Sequence, residues 1–213
     1  FSFVFKALNR RTKTHVALKG VDKSNLSAKS QAMNEVGMLK RYSHPGVVSL
    51  QRFFKDSTNY YIVLEYCAKG EIPNRFGKLD RGDGLREVWR VVKSLLLTLQ
   101  FLHGHGIIHR DVRPGNILVT EDDSVKLSDF GLSVHEDELR LGNRPPAGTP
   151  NYVAPEVLRR EFITPKVDVW ALGCTIFSLV NKVCPFESPN GVLINERILT
   201  DRVPGLNSGD DLL

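Results

Sequence analysis

Cysteine, tryptophan and methionine are scarce in this chain of 213 residues, with three, two and two copies. Cys67, Cys174 and Cys184 are odd in number and lack metal-type spacing. That argues against a disulfide framework or a zinc knuckle, and reduced thiols in an intracellular, cytoplasmic compartment are the expectation. No signal-peptide pattern is visible. The run Val169 to Val180 is apolar and uncharged but far shorter than a bilayer span, and Asp168 abuts it. No membrane span is expected there, and a short helix apolar on all sides reads as a buried core helix. The net charge is +5, yet no basic tract with interleaved aromatics accompanies it. A direct nucleic-acid partner is therefore not expected, and the basic balance reads as a surface that tolerates anionic ligands.

Hydrophobic residues make up 41% of the chain and charged residues 25%, ordinary for a globular protein. The length suits one large domain or two small lobes with real cores. The first 65 residues read as strands around one helix. Phe1 to Ala7 alternates like a strand, Asn9 to Lys13 is a polar turn, and Thr14 to Lys19 is the partner strand. Ser27 to Arg41 has helical spacing and stops before His44-Pro45. Val47 to Leu50 and Tyr60 to Leu64 read as two more strands, with Asp56 to Asn59 as their turn. Residues 66–71 form a short polar link, and the rest is mainly helical. Leu85 to His105 carries a broad apolar stripe through Val88, Val91, Val92, Leu95, Leu96, Leu99 and Leu102, closed by Gly104 and Gly106. The expectation is an α+β fold of two lobes: a small β-rich one with a single helix (1–65), a hinge (66–71), and a mainly helical one (72–213).

The stretch that carries chemistry starts at His109-Arg110-Asp111, with Asn116 beyond it and Asp129-Phe130-Gly131 further on. Between them Ile117 to Val119, the acidic turn Thr120 to Asp123, and Val125 to Leu127 read as a hairpin. A hairpin brings its ends together, so Asp111, Asn116 and Asp129 are expected to converge. Two carboxylates and an amide oxygen in one place suit a hard cation such as magnesium.

These motifs, with Val16-Ala17-Leu18-Lys19 before them and Gly148-Thr149-Pro150-Asn151-Tyr152-Val153-Ala154-Pro155-Glu156 after, resemble the eukaryotic protein kinases over nearly the whole chain. The resemblance implies an ATP- and magnesium-dependent enzyme acting on protein substrates. Asp111 would orient the substrate hydroxyl, and Asn116 and Asp129 would hold the metal. Lys19 would hold the α- and β-phosphates, kept in place by Glu35 on the first helix. That ion pair is expected to matter for alignment rather than stability, since exposed pairs contribute only about 0–1 kcal/mol. Val4 and Ala17 would pack on the adenine ring, Leu64 would stand behind it, and Leu118 joins the same pocket. Backbone groups of Glu65 and Cys67 would bond the adenine edge. Ser2 falls where the third glycine of a phosphate-covering loop usually sits. Arg113 stands where serine/threonine kinases usually carry lysine, and a basic residue there speaks against the tyrosine-kinase pattern. His109, Phe130, Leu39 and Leu50 would form an apolar column between the lobes. Thr149 would hydrogen-bond Asp111, and Asp168 would bond backbone N–H groups near His109 and Arg110.

One departure concerns regulation. Arg110 usually grips a phosphorylated residue, but no Ser, Thr or Tyr lies between Val134 and Gly148, and Pro145-Pro146 stand in the usual place. Switching by phosphorylation there is expected to be lost, with Glu136, Asp137 or Glu138 as substitutes. Glu156 normally meets an arginine of a late helix, and a full kinase domain is longer, so the chain reads as a fragment. Residues 148–158 and Gly115-Asn116 resemble the polo-like kinases, which implies work at centrosomes or centrioles. A pseudokinase serving as a binding or allosteric module is the alternative, and the retained Lys19, Asp111, Asn116 and Asp129 speak against it.

Overall fold

A computed structural model describes residues 2–72, 81–140, 147–187, 194–202 and 205. Pro145-Pro146 lie outside the described residues.

The first lobe is a four-stranded antiparallel sheet in the order β1-β2-β4-β3, from β1 (Ser2–Leu8), β2 (His15–Asp22), β3 (Leu50–Lys55) and β4 (Asn59–Glu65). Short polar turns set its register. Asn9 Oδ1 accepts from the Arg11 and Thr12 N–H groups in the first turn. Asp56 accepts from the Thr58 and Asn59 N–H groups and from the Tyr61 hydroxyl in the second. Bonded chiefly by the Asn59 N–H, then by Tyr61 and Thr58, its carboxyl is lowered to about 2. Helix α1 (Leu26–Arg41) begins at Asn25, whose side chain accepts from the Ala28 N–H, and it buries Ala32, Glu35, Val36 and Leu39.

The strand expected over Val47 to Leu50 begins only at Leu50. Val47 instead forms a parallel bridge with Leu127, and the Val48 N–H donates to the Leu127 carbonyl at 2.9 Å. This segment is thus stitched to the second lobe. A four-residue apolar run carries no signal for which sheet it will join.

The second lobe is built around α2 (Arg81–Gly104) and α5 (Lys166–Asn181). One position of the apolar stripe expected on α2 is corrected: Leu96 is left exposed, at 48%. Strand β5 (Gly70–Glu71) adds to the hairpin of β7 (Ile117–Val119) and β8 (Val125–Leu127), and β6 (Ile107–Ile108) pairs with β9 (Val134–His135). Short helices α3 (Glu136–Arg140), α4 (Pro155–Leu158) and α6 (Ile194–Thr200) complete it. The hairpin therefore stands where the sequence placed it. Strand β5, the last two residues of the 66–71 link, pairs with β7.

Helix α5 corrects one expectation. It buries Val167, Ala171, Leu172, Cys174 and Leu179, yet Val169 is 51% exposed. An all-apolar run fixes no facing, and here only one side meets the core. No helix among the described residues is long and apolar enough to cross a membrane.

Candidate active site

Antiparallel register places Val4 opposite Lys19, and Ala17 opposite Leu64. Opposed residues share a face of the sheet, so Val4, Ala17, Lys19 and Leu64 line one side. Leu118, on β7, packs against the same core as Ala17.

Lys19 is the cationic centre of this face. Its Nζ lies 2.7 Å from Glu35 Oε2 and 3.2 Å from Asp129 Oδ1. The Glu35 side chain is 1% exposed and that of Lys19 is 16% exposed. This corrects the expectation of an exposed pair. Glu35 points from the inner face of α1 into the core, so the pair is buried, and removing one partner from such a pair costs about 3–5 kcal/mol. Burial alone would lower the Lys19 pKa, but the charges of Glu35 and Asp129 outweigh it and hold the ammonium above its ordinary value. Burial raises the Asp129 carboxyl, but Lys19, then His109 and the Gly131 N–H, outweigh this and hold it below its ordinary value.

For Glu35 the balance goes the other way. Burial dominates and raises its pKa, with Lys19 opposing. A carboxyl raised in the fold adds stability below its unfolded pKa and loses that contribution as pH rises through the folded value. The ion pair that aligns Lys19 forms only above that folded value. The acid limb of kcat/KM is therefore expected above the ordinary carboxylate range. Glu35→Gln should lower kcat/KM at pH 8 on the order of 10²-fold through misplacement of Lys19, and should remove that limb. A pH–rate profile with the same acid limb in both proteins refutes the assignment.

Asp111 is 8% exposed and held from both sides. Thr149 Oγ1 donates to Oδ1 at 2.6 Å, and Asn116 Nδ2 donates to Oδ2 at 2.7 Å. Asn116 Nδ2 also donates to the Asp111 carbonyl at 2.9 Å, so its amide oxygen is turned away from Asp111. Arg113 Nε approaches Asp111 Oδ2 at 3.3 Å. A Cβ on Gly115 would come within 2.7 Å of the Arg113 guanidinium. Glycine next to Asn116 thus leaves room for the bulkier arginine.

Arg110 and Asp129 have left-handed backbones, at φ 69° and 61°. Such conformations persist where neighbours over-determine them. Asp168 Oδ1 accepts from the Arg110 N–H at 2.8 Å, and Oδ2 accepts from the His109 N–H at 2.9 Å. His103 Nε2 also lies 2.8 Å from Asp168 Oδ2, a contact the sequence did not suggest. The His109 and Phe130 rings meet edge-to-face at 4.7 Å, both buried, with Leu39 and Leu50 in the same core. His109 Nδ1 accepts from the Asp111 N–H at 3.3 Å, which leaves Nε2 to donate to the Ser128 carbonyl at 3.1 Å.

At the link, Glu65 does more than offer backbone groups. Its carboxylate pairs with Lys126 of β8 at 2.9 Å and accepts from the Ser49 N–H at 3.1 Å. The Cys67 carbonyl accepts from the Gly70 N–H at 3.1 Å, and the Glu65 N–H donates to the Ser49 carbonyl at 3.0 Å. Burial raises the Cys67 thiol to about 11. Nothing in the local sequence signalled the Glu65–Lys126 pair, which joins residues 61 apart.

The donor set fits a divalent cation. Asp129 spends Oδ1 on Lys19 and, at 3.4 Å, on the Gly131 N–H, so Oδ2 is the oxygen free for a metal among the described residues. Lys19, Glu35 and Asp129 together carry one net negative charge when ionised. Among the described residues no group of three His, Cys, Asp or Glu side chains could hold a metal. The Asp129 carboxylate and the Asn116 amide are the donor types magnesium takes, since it binds through one or two carboxylates plus phosphates. A cavity of about 790 Å³ lined by His44, Arg90, Phe101 and Asp123 shares none of these residues.

The family model described as Protein kinase domain matches residues 1–206. A CBL-interacting serine/threonine-protein kinase 12 from Arabidopsis thaliana is 35% identical over 205 residues, 93% of this chain and 41% of that protein. Cytokinesis protein sepH from Aspergillus terreus is 34% identical over 212 residues, 98% of this chain and 15% of that protein. Serine/threonine-protein kinase PLK4 from Drosophila yakuba is 32% identical over 208 residues, 93% of this chain and 27% of that protein. The chain thus spans less than half the length of each of these relatives.

Proposed function

This chain belongs to the protein kinase family, and we propose that it transfers the γ-phosphate of ATP to serine or threonine hydroxyls of protein substrates. The observation that carries this reading is the hold on Asp111 by Thr149 and Asn116, at 2.6 and 2.7 Å. It fixes a carboxylate beside the amide that would share a metal with Asp129. Phosphoryl transfer needs little covalent help: the nucleophile must be in line and the developing charge neutralised. Asp111 positions the hydroxyl and takes its proton. Arg113 offers a guanidinium to the transferred phosphate. Lys19 holds the α- and β-phosphates, its direction fixed by Glu35. Asn116 and Asp129 would hold magnesium, which when bound would neutralise charge on the phosphates. Val4, Ala17, Leu64 and Leu118 enclose the adenine ring, and backbone groups of Glu65 and Cys67 bond its edge.

Transfer of label from γ-labelled ATP to a mixed peptide library, followed by phosphoamino-acid analysis, tests the reading. Phosphoserine and phosphothreonine are expected. Phosphotyrosine alone, or no transfer from wild type, overturns it. The retained Lys19, Asp111, Asn116 and Asp129 speak against a pseudokinase serving as a binding module.

Within the family, Gly148 to Leu158 supports the polo-like group and hence work at centrosomes or centrioles inside the cell. The match to PLK4 supports it too, although plant CBL-interacting kinases match at similar identity. A tagged full-length protein that avoids centrosomes throughout division removes that placement.

A further inference from the structure

The segment that carries Asp129 is tied to α1 by the Asn34 amide, beside a bond from the Phe130 N–H to the Glu35 carboxylate. Asn34 stands next to Glu35 on α1. Its Nδ2 lies 2.7 Å from the Ser133 carbonyl and 3.1 Å from those of Phe130 and Gly131. Three acceptors converge on one nitrogen, so the amide can only present its N–H groups here. One hydrogen serves Ser133, and the other is shared by Phe130 and Gly131. The contact is close: a Cβ on Gly131 would come within 3.1 Å of Gln31 on the preceding turn of α1. Ser133 is fully buried and donates its hydroxyl to the Phe130 carbonyl at 2.6 Å. Swinging Phe130 out of the column would break the Asn34 bonds together.

The nearby hydroxyls are already committed. Ser133 serves Phe130, Thr149 serves Asp111, and none lies between Val134 and Gly148. We propose that Asn34 is a positioning residue, a latch that pins the Asp129–Ser133 segment to α1 and keeps the metal-holding carboxylate aligned without a phosphate on the adjoining loop. Lys19, Glu35 and Asn34 then act as one unit, because Glu35 and Asn34 move with the same helix. The inference rests on the reading of Asp129 as a metal ligand in phosphoryl transfer.

The experiment compares wild type with Asn34→Ala and the isosteric Asn34→Asp, measuring kcat, KM for ATP and amide hydrogen exchange. Asn34→Ala is expected to lower kcat about 5–150-fold, the range of a 1–3 kcal/mol coupling. Exchange at Gly131 and Ser133 should rise, while protection across β4 stays at the wild-type level. Asn34→Asp keeps the shape but sets a carboxylate against three carbonyls, so it should lose at least as much. Unchanged kcat and unchanged exchange at 131–133 in both variants overturn the latch. So does a uniform loss of protection that includes β4, which marks general destabilisation. A wild type that transfers no phosphate refutes the proposed function instead, and the exchange arm still decides whether Asn34 pins the segment.

Discussion

Asp111→Asn is expected to lower kcat by roughly 10²–10⁴-fold, the usual range for a positioned general base. The change removes one acceptor oxygen and the negative charge while leaving the shape. Thr149 and Asn116 both donate to this side chain, at 2.6 and 2.7 Å. An amide can accept from only one of them through its oxygen, so the variant also loosens the loop locally. The loss should therefore fall on kcat, with KM for ATP less affected, because Lys19 and Asp129 are untouched. Magnesium-ADP binding by calorimetry provides the control. A variant that binds magnesium-ADP like wild type yet keeps wild-type kcat would show that Asp111 is not the base. Retained transfer by Asp111→Asn at a level set by contaminating kinases is separated by following inhibition with ATP analogues on both proteins.

The second large effect is one of stability. Asp168 is fully buried, and its carboxylate accepts from two backbone N–H groups, those of His109 and Arg110, with His103 as a third neighbour. Asp168→Ala leaves both N–H groups buried without an acceptor. Each such group costs about 1–3 kcal/mol, so the expected loss is about 2–6 kcal/mol in total. For a chain of this size each kcal/mol lowers Tm by roughly 2–4 °C. The left-handed Arg110 backbone would also lose the bond that holds it, at the residue beside Asp111. Activity should then fall more steeply with temperature than in wild type. Thermal unfolding followed by circular dichroism reads this directly. A midpoint within 2 °C of wild type would mean that the N–H groups find other acceptors and that the carboxylate is not their anchor.

The lobes owe their coupling to contacts at large separation in the chain. Lys19 meets Asp129 across 110 positions and Asn34 meets Ser133 across 99; within the second lobe Asp168 meets His109 across 59. Each bond closes a long loop, and the closure is worthwhile only when several form together. That explains why the site is best understood as one cooperative unit in which α1, the hairpin and α5 each fix a different carboxylate.

Much of this could be read from residue order alone. The two lobes, the hairpin that joins Asn116 to Asp129, the Lys19–Glu35 pair and the Thr149–Asp111 bond all follow from motifs whose geometry is local or repeated across a family. Turn residues such as Asn9 and Asp56 set strand register through side chains two or three positions away, so sequence marks them well. What tertiary structure alone decided is which of these groups lies in water. Glu35 is buried, so its pair with Lys19 became a matter of stability and pH as well as alignment. Val47 left its expected strand for β8, one side of α5 turned outward, and Asn34 found three carbonyls about a hundred positions away. Periodicity states that a face is apolar or polar, but the partner that covers it comes from the rest of the chain. Burial and long-range pairing are properties of the whole packed molecule, and no local pattern encodes them.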